Sequence, residues 1–290
     1  MTFADPAAVA RALDEAGYLP DDGVATAAFL AMRLSRPLFL EGDPGVGKTA
    51  LAQALAAITD APLVRLQCYE GIDASQALYD WDFPRQVLHL RAAGDDADRT
   101  QLEASLYDRR FLVARPILQA LETTPSVLLV DEVDRADDEF EAFLLEVLSD
   151  YAVTVPELGT IRAGSPPLVV LTSNRTREVH DALKRRCLYH WVAHPSFERE
   201  VEIVRRHIPD VSEQLARDVA AVVGGLRNAD LLKPPGVAET IDWTQALHVL
   251  GADRLEGSRA IATMGAAVKY HEDQVRVERE LLPELMARLA

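Results

Sequence analysis

Short aliphatic runs that end in polar or charged tips alternate along this chain with longer stretches whose apolar positions recur every three or four residues. That alternation predicts an α/β architecture with a parallel sheet, because strands that are apolar throughout are the ones covered on both faces. Strands are expected at 38–40, 62–67, 126–130, 168–171 and 188–192. Helical spacing marks 5–17, 22–35 (Val24, Ala28, Leu30, Met32), the segment after 48 (Leu51, Ala54, Leu55, Ile58), 113–123, and the face made by Phe140, Phe143, Leu144, Val147 and Leu148. Residues 151–155 and 159–162, around Pro156-Glu157-Leu158, read as a hairpin inserted beside the core sheet. Ser196 is the expected cap of a helix with Phe197, Val201, Val204 and Ile208 on one face, and the pattern stays helical from there to the end. On pattern alone the chain divides into an α/β core over 1–195 and an all-helical lid over 196–290.

The first strand runs directly into GDPGVGKT at 42–49, which fits G-x-x-x-x-G-K-[ST] at every position, and a helix follows at once. Gly42, Asp43, Pro44, Gly45, Val46, Gly47, Lys48, Thr49 and Ala50 therefore form a phosphate-binding P-loop opening onto a helix N-terminus, whose free N–H groups and dipole favour an anion. Gly45 and Gly47 carry no Cβ and tolerate positive φ, so the backbone can curl around a phosphate. Lys48 is placed to reach the β- and γ-phosphates, and Thr49 to offer its hydroxyl to Mg²⁺. The ligand this pattern predicts is a nucleoside triphosphate with Mg²⁺.

The strand at 126–130 ends in Asp131-Glu132, at the strand tip where open α/β sheets bind ligands. Asp131 is expected to hold Mg²⁺, directly or through water, and Glu132 to orient and deprotonate the attacking water. The strand at 168–171 ends in Thr172-Ser173-Asn174, where a polar tip can hydrogen-bond the γ-phosphate or that water, or simply cap the strand. Lys184, Arg185 and Arg186 form a basic cluster at a helix C-terminus, which they would stabilise.

Composition narrows the partners. Thirty basic against 46 acidic side chains leave a net charge of −16, which opposes general attraction to nucleic acid or to an anionic membrane. No run approaches the roughly 20 apolar residues of a bilayer span, and acidic residues stand where a secretory leader would be basic, so a cytoplasmic protein is expected. Cys68 and Cys187 lack the spacing of a disulfide framework or zinc site and read as core thiols. Tyr69, Tyr79, Trp81 and Phe83 suit either packing or a partner-contacting or pore loop, and the acidic 94–98 reads as a solvated loop.

GDPGVGKT, the 127–136 strand with its Asp131-Glu132 tip, TSN at 172–174 and LKRRC at 183–187, in this order and with a helical tail, resemble the AAA+ ATPases of the MoxR branch. The likeness covers roughly residues 25 to 250. LQCYEG at 66–71, EFEAFLLEVLSD at 139–150 and AETIDWTQAL at 238–247 look closest to the accessory ATPase of carbon monoxide dehydrogenase-type molybdenum hydroxylase assembly. The resemblance implies an AAA+ P-loop NTPase core, a parallel five-stranded sheet flanked by helices with a β-hairpin insertion, plus a C-terminal all-helical lid. It implies Asn174 as the first sensor and Arg186 as a finger reaching the neighbouring subunit's γ-phosphate, with Arg185 the second candidate. It further implies a hexameric ring, a von Willebrand factor A-domain partner and a client metalloenzyme that is remodelled or activated. Many AAA+ lids carry a sensor arginine at a helix start; here the chain has Gly236-Val237-Ala238-Glu239-Thr240, and Arg227 upstream has no assigned role.

The leading expectation is a Mg-ATP hydrolase that drives remodelling of a partner protein. One alternative is a nucleotide-dependent assembly scaffold with negligible turnover, which the paired Asp131 and Glu132 disfavour. Another is a DNA-directed AAA+ motor or clamp loader, which would need a concentrated basic surface.

Overall fold

The computed structural model describes residues 3–93 and 99–289, so the loop expected at 94–98 lies outside the described residues. It divides into two compact units: Met1–Glu41 with Thr49–Trp191, and Gly42–Lys48 with Val192–Ala290. The helical region thus takes in the 42–48 loop and residues 192–195, which the sequence pattern assigns to the core. The grouping has a physical cause: a Cβ at Gly42 would lie 2.3 Å from the Val192 carbonyl oxygen, and the Val237 N–H donates to the Gly45 carbonyl at 3.2 Å.

In the α/β unit the elements are α1 (Pro6–Glu15), α2 (Asp22–Leu34), β1 (Leu38–Glu41), α3 (Lys48–Thr59, whose first residue falls in the other unit), β2 (Leu63–Gln67), α4 (Ala74–Leu78), β3 (Tyr79–Trp81), α5 (Phe83–Ala93), α6 (Arg99–Ser105), β4 (Leu112–Ala114), α7 (Pro116–Glu122), β5 (Val127–Asp131), α8 (Asp138–Asp150), β6 (Ala152–Val155), β7 (Gly159–Arg162), β8 (Leu168–Ser173), α9 (Asp181–Arg186) and β9 (Leu188–Trp191). Side chains of Asp5, Asp21 and Asp137 accept from the first-turn N–H groups of α1, α2 and α8, contacts typically stabilising by about 1 kcal/mol each.

The five-stranded sheet has the order β2-β5-β8-β1-β9 and is parallel throughout. Parallel register brings the strand ends together: Gln67 stands beside Asp131, and Glu41 beside Ser173 and Trp191. Leu38, Phe39, Leu40, Leu129, Val130, Val170 and Leu171 are fully buried, as strands covered on both faces require. Ile117 and Leu118 of α7 and Phe140 and Leu144 of α8 complete that core. The expected hairpin is present as the antiparallel pair β6 and β7.

Two segments differ from the sequence pattern. The helix expected over 113–123 begins at Pro116, because proline suits the first helical position and Arg115 ahead of it is extended. Val113 instead pairs with Asp80 across β3 and β4. The aromatic stretch splits: Tyr79 and Trp81 pack on the core, with Trp81 edge-on to Tyr107 at 5.4 Å, while Tyr69 and Phe83 are 46% and 63% exposed.

The helical unit contains α10 (Phe197–His207), α11 (Glu213–Arg227), α12 (Val237–Val249), α13 (Gly257–Thr263), α14 (His271–Arg276) and α15 (Leu282–Ala287). Ser196 is the N-cap residue of α10, without a side-chain cap hydrogen bond. Trp243 is fully buried among Val219, Val223 and Leu247, and its indole N–H donates to Thr263 Oγ1 at 2.8 Å. The tail is less regular than its pattern: a π-type stretch, Val277–Leu281, precedes α15, whose first turn holds Pro283 and so lacks an N–H to give. Among the described residues no helix is long and apolar enough to cross a membrane.

Candidate functional site

The 42–48 loop, in the helical unit, has the backbone its glycines predict. Gly45 and Gly47 take φ of +79° and +96°, in the left-handed region. Lys48 is buried, and its ammonium donates to the carbonyls of Gly42 at 2.7 Å and Asp43 at 2.8 Å. Asp43, Pro44, Gly45 and Ala50 are exposed, and Val46 is buried. The start of α12 lies against this loop: Glu239 Oε2 accepts from the Gly236 N–H at 2.9 Å, and a Cβ at Gly45 would come within 3.2 Å of that oxygen. His194 Nε2 stands 3.4 Å from Asp43 Oδ2. Burial, and next the nearby Arg227 charge, lower the His194 pKa, partly offset by Asp43.

The carboxylates stand at the ends of the strands in the α/β unit. Asp131 is buried; it accepts from Thr172 Oγ1 at 2.5 Å and from Thr49 Oγ1 at 3.2 Å on Oδ1, and from Arg65 Nη2 at 2.6 Å on Oδ2. Glu132 follows at φ +55°, a left-handed conformation that costs a non-glycine residue of order 1 kcal/mol or more. The turn holds because the Glu132 N–H donates to Thr172 Oγ1 at 2.9 Å. It re-aims the carboxylate: Oε1 accepts from Asn174 Nδ2 at 3.2 Å and Oε2 from Gln67 Nε2 at 3.1 Å, while Arg135 Nε forms an ion pair with Oε2 at 3.0 Å. Asp134, buried, fixes the facing loop by accepting from the N–H groups of Asn174 at 3.2 Å and Thr176 at 2.8 Å.

Thr49, Asp131, Glu132 and Asn174 are therefore brought together, and a hydroxyl beside a carboxylate is a hard-oxygen donor set that suits Mg²⁺ completed by phosphate and water. Arg185 and Arg186 are not brought to this cluster. They are exposed at the end of α9, and neither guanidinium has a carboxylate partner among the described residues. Their backbone is held instead: the Arg36 guanidinium donates to the carbonyls of Arg185 (2.9 Å), Arg186 (3.2 Å) and Cys187 (3.3 Å), the free acceptors of that helix end. Arg227 forms a buried two-point pair with Glu200, both contacts at 2.6 Å, and donates to the Pro235 carbonyl at 2.8 Å. Cys68 and Cys187 are buried free thiols, pushed up to about 12 by burial, which leaves them unreactive near neutral pH.

Arg65, Gln67 and Arg135 are the site residues that motif reading passes over. A signal existed for the first two: they are the polar residues at alternate positions of an otherwise aliphatic strand, hence on one face.

Residues 37–187 match the family model for the AAA domain, dynein-related subfamily. Midasin from Giardia intestinalis is 52% identical over 48 residues, a stretch that is 17% of this chain and 1% of that protein. Among solved structures, a proline-to-glycine variant of Thermotoga maritima RuvB superposes with a TM-score of 0.53 at 18% identity, covering 99% of this chain and 83% of that one. A lysine-to-arginine variant of the same protein gives 0.52 at 17% identity, covering 92% and 79%. At such identities the likeness is one of fold.

Proposed function

Because the chain belongs to the AAA domain family, dynein-related subfamily, whose members are ATPases, we propose that it is a Mg-ATP-driven motor of the MoxR type that remodels a partner protein. The observation that carries this reading is the hold on Glu132, a strained residue whose carboxylate meets Asn174, Gln67 and Arg135 one step beyond the Asp131–Thr49 contact. Such preorganisation is what phosphoryl transfer asks of a protein, since the chemistry is mostly positioning and charge stabilisation. Mg²⁺ supplies charge neutralisation at the phosphates when bound, and Thr49 and Asp131 are the residues that would hold it.

The loop from Gly42 to Ala50 wraps the phosphates, Lys48 gives its ammonium to the β- and γ-oxygens, and Glu132 takes the proton of the attacking water. Asn174 fixes Glu132 and senses the γ-phosphate. Arg186, exposed and without a carboxylate partner among the described residues, acts on a neighbouring subunit's nucleotide, with Arg185 as the second candidate, so the working unit is a ring, taken as a hexamer. The sequence motifs shared with MoxR-type ATPases support a von Willebrand factor A-domain partner and a metalloenzyme client, with a molybdenum hydroxylase the candidate to test. Glu132→Gln tests the reading: ATP should still bind, and turnover should fall by at least about a hundredfold, the scale of a lost general base. Hydrolysis at the wild-type rate would remove Glu132 from the mechanism.

A further inference from the structure

β2 is an edge strand whose side chains alternate, with Val64 and Leu66 buried and Arg65 and Gln67 exposed on the other side. Parallel register sets Gln67 beside Asp131, so both polar side chains meet the tip of β5. Arg65 Nη2 lies 2.6 Å from Asp131 Oδ2 and 2.6 Å from Gln67 Oε1, and Gln67 Nε2 lies 3.1 Å from Glu132 Oε2. The amide can face only one way, since a guanidinium only donates and a carboxylate only accepts. One hydrogen-bonded chain, Asp131–Arg65–Gln67–Glu132, therefore joins the two carboxylates.

We propose that Arg65 is a tethered competitor for the divalent cation at Asp131, setting the metal requirement of the ATPase. The inference rests on the reading of Asp131 as the metal-holding carboxylate. A guanidinium and a divalent cation drawn to one carboxylate repel each other, so each raises the cost of binding the other. The geometry decides which yields: the Asp131 side chain is 5% exposed and fixed by Thr172, whereas that of Arg65 is 52% exposed on a flexible stem and can turn into solvent. Cation binding at Asp131 then frees Arg65 to turn into solvent. Arg65 acts on the metal in this scheme through Asp131.

The test is Mn²⁺ binding to the full chain in the presence of ADP, followed by electron paramagnetic resonance, with circular dichroism to check the fold. Arg65→Gln, which removes the charge and keeps a hydrogen-bonding side chain, should tighten Mn²⁺ by about tenfold, equivalent to about 1.4 kcal/mol. Arg65→Lys, which keeps the charge, should stay within about threefold of wild type. Unchanged or weaker Mn²⁺ binding in a folded Arg65→Gln protein overturns the proposal. Asp131→Asn separates the layers: if it weakens Mn²⁺ while Arg65→Gln changes nothing, only the role of Arg65 fails; if it leaves Mn²⁺ binding intact, the metal assignment fails and the competitor with it.

Discussion

Two arginine–carboxylate pairs, one in each unit, share the same 2.6 Å contact and differ in nearly everything else. In the helical unit the Arg227 and Glu200 side chains are 11% and 3% exposed, and their spare hydrogen-bonding capacity is taken up by Thr240 and the Pro235 carbonyl. In the α/β unit Asp131 is equally secluded, but Arg65 is half in water and its remaining contact is to an exposed amide. The first pair is closed, and opening it strands a charge away from solvent. The second is exchangeable, because the arginine has water to go to. Distance alone does not separate a structural ion pair from one that can change partners; burial of the cation does.

Removing these cations one at a time, and Lys48 with them, should have effects of very different size. Lys48→Ala should have the largest effect, weakening nucleotide binding by about a hundredfold or more, of order 3 kcal/mol for lost charge-assisted contacts. Unchanged affinity for a fluorescent ATP analogue would sink the phosphate-loop assignment. Arg227→Ala should cost about 3–5 kcal/mol of stability by leaving Glu200 buried and uncompensated, read as a large fall in the urea midpoint. Arg65→Ala should cost clearly less than Arg227→Ala in the same denaturation, since water can take the place of the half-exposed guanidinium and Thr172 and Thr49 still donate to Asp131. Equal costs for the two variants would erase the distinction between the pairs.

The smallest expected effect is on pH dependence. His194 has a lowered pKa in the folded chain, chiefly from burial, so the unfolded chain binds its proton more tightly. Its contribution to stability is present above the unfolded value of about 6.5 and is lost as pH falls from there through the lower folded value. His194→Asn should flatten that part of the stability curve, and an unaltered slope would remove His194 as its source.

Much of the site was legible in the sequence because its chemistry is compressed along the chain. Gly42 to Thr49, Asp131-Glu132 and Asn174 each sit at a strand end, where an aliphatic run marks the position. What was not legible depends on contacts between distant residues. Arg65 meets Asp131 across 66 positions, and Arg36 reaches the carbonyls of Arg185 and Arg186 across about 150. Neither pairing leaves a mark in local periodicity. The left-handed turn at Glu132 is equally silent, since glutamate has no preference for it and the Thr172 hydroxyl that helps hold it lies 40 positions away. Between Cys68 and Ala93 the elements were hidden for another reason: α4 spans five residues and β3 three, too short for either period to show. At 113–115 the helical reading lost to Pro116, which starts α7 where its missing N–H costs nothing.

The claim on which the motor reading turns is that the site is completed by a neighbouring subunit through Arg186. The direct measurement is steady-state ATP hydrolysis in co-assembled mixtures of Arg186→Ala and Lys48→Ala subunits, each expected to be inactive alone. A finger acting in trans contributes on the order of 10³ to 10⁵ in rate, and a mixed ring sets the intact phosphate loop of one variant against the intact arginine of the other. Hydrolysis should reappear on mixing. If the mixture stays silent while Arg185→Ala with Lys48→Ala recovers, the finger is Arg185; if neither mixture recovers although both co-assemble, completion of the site in trans is contradicted.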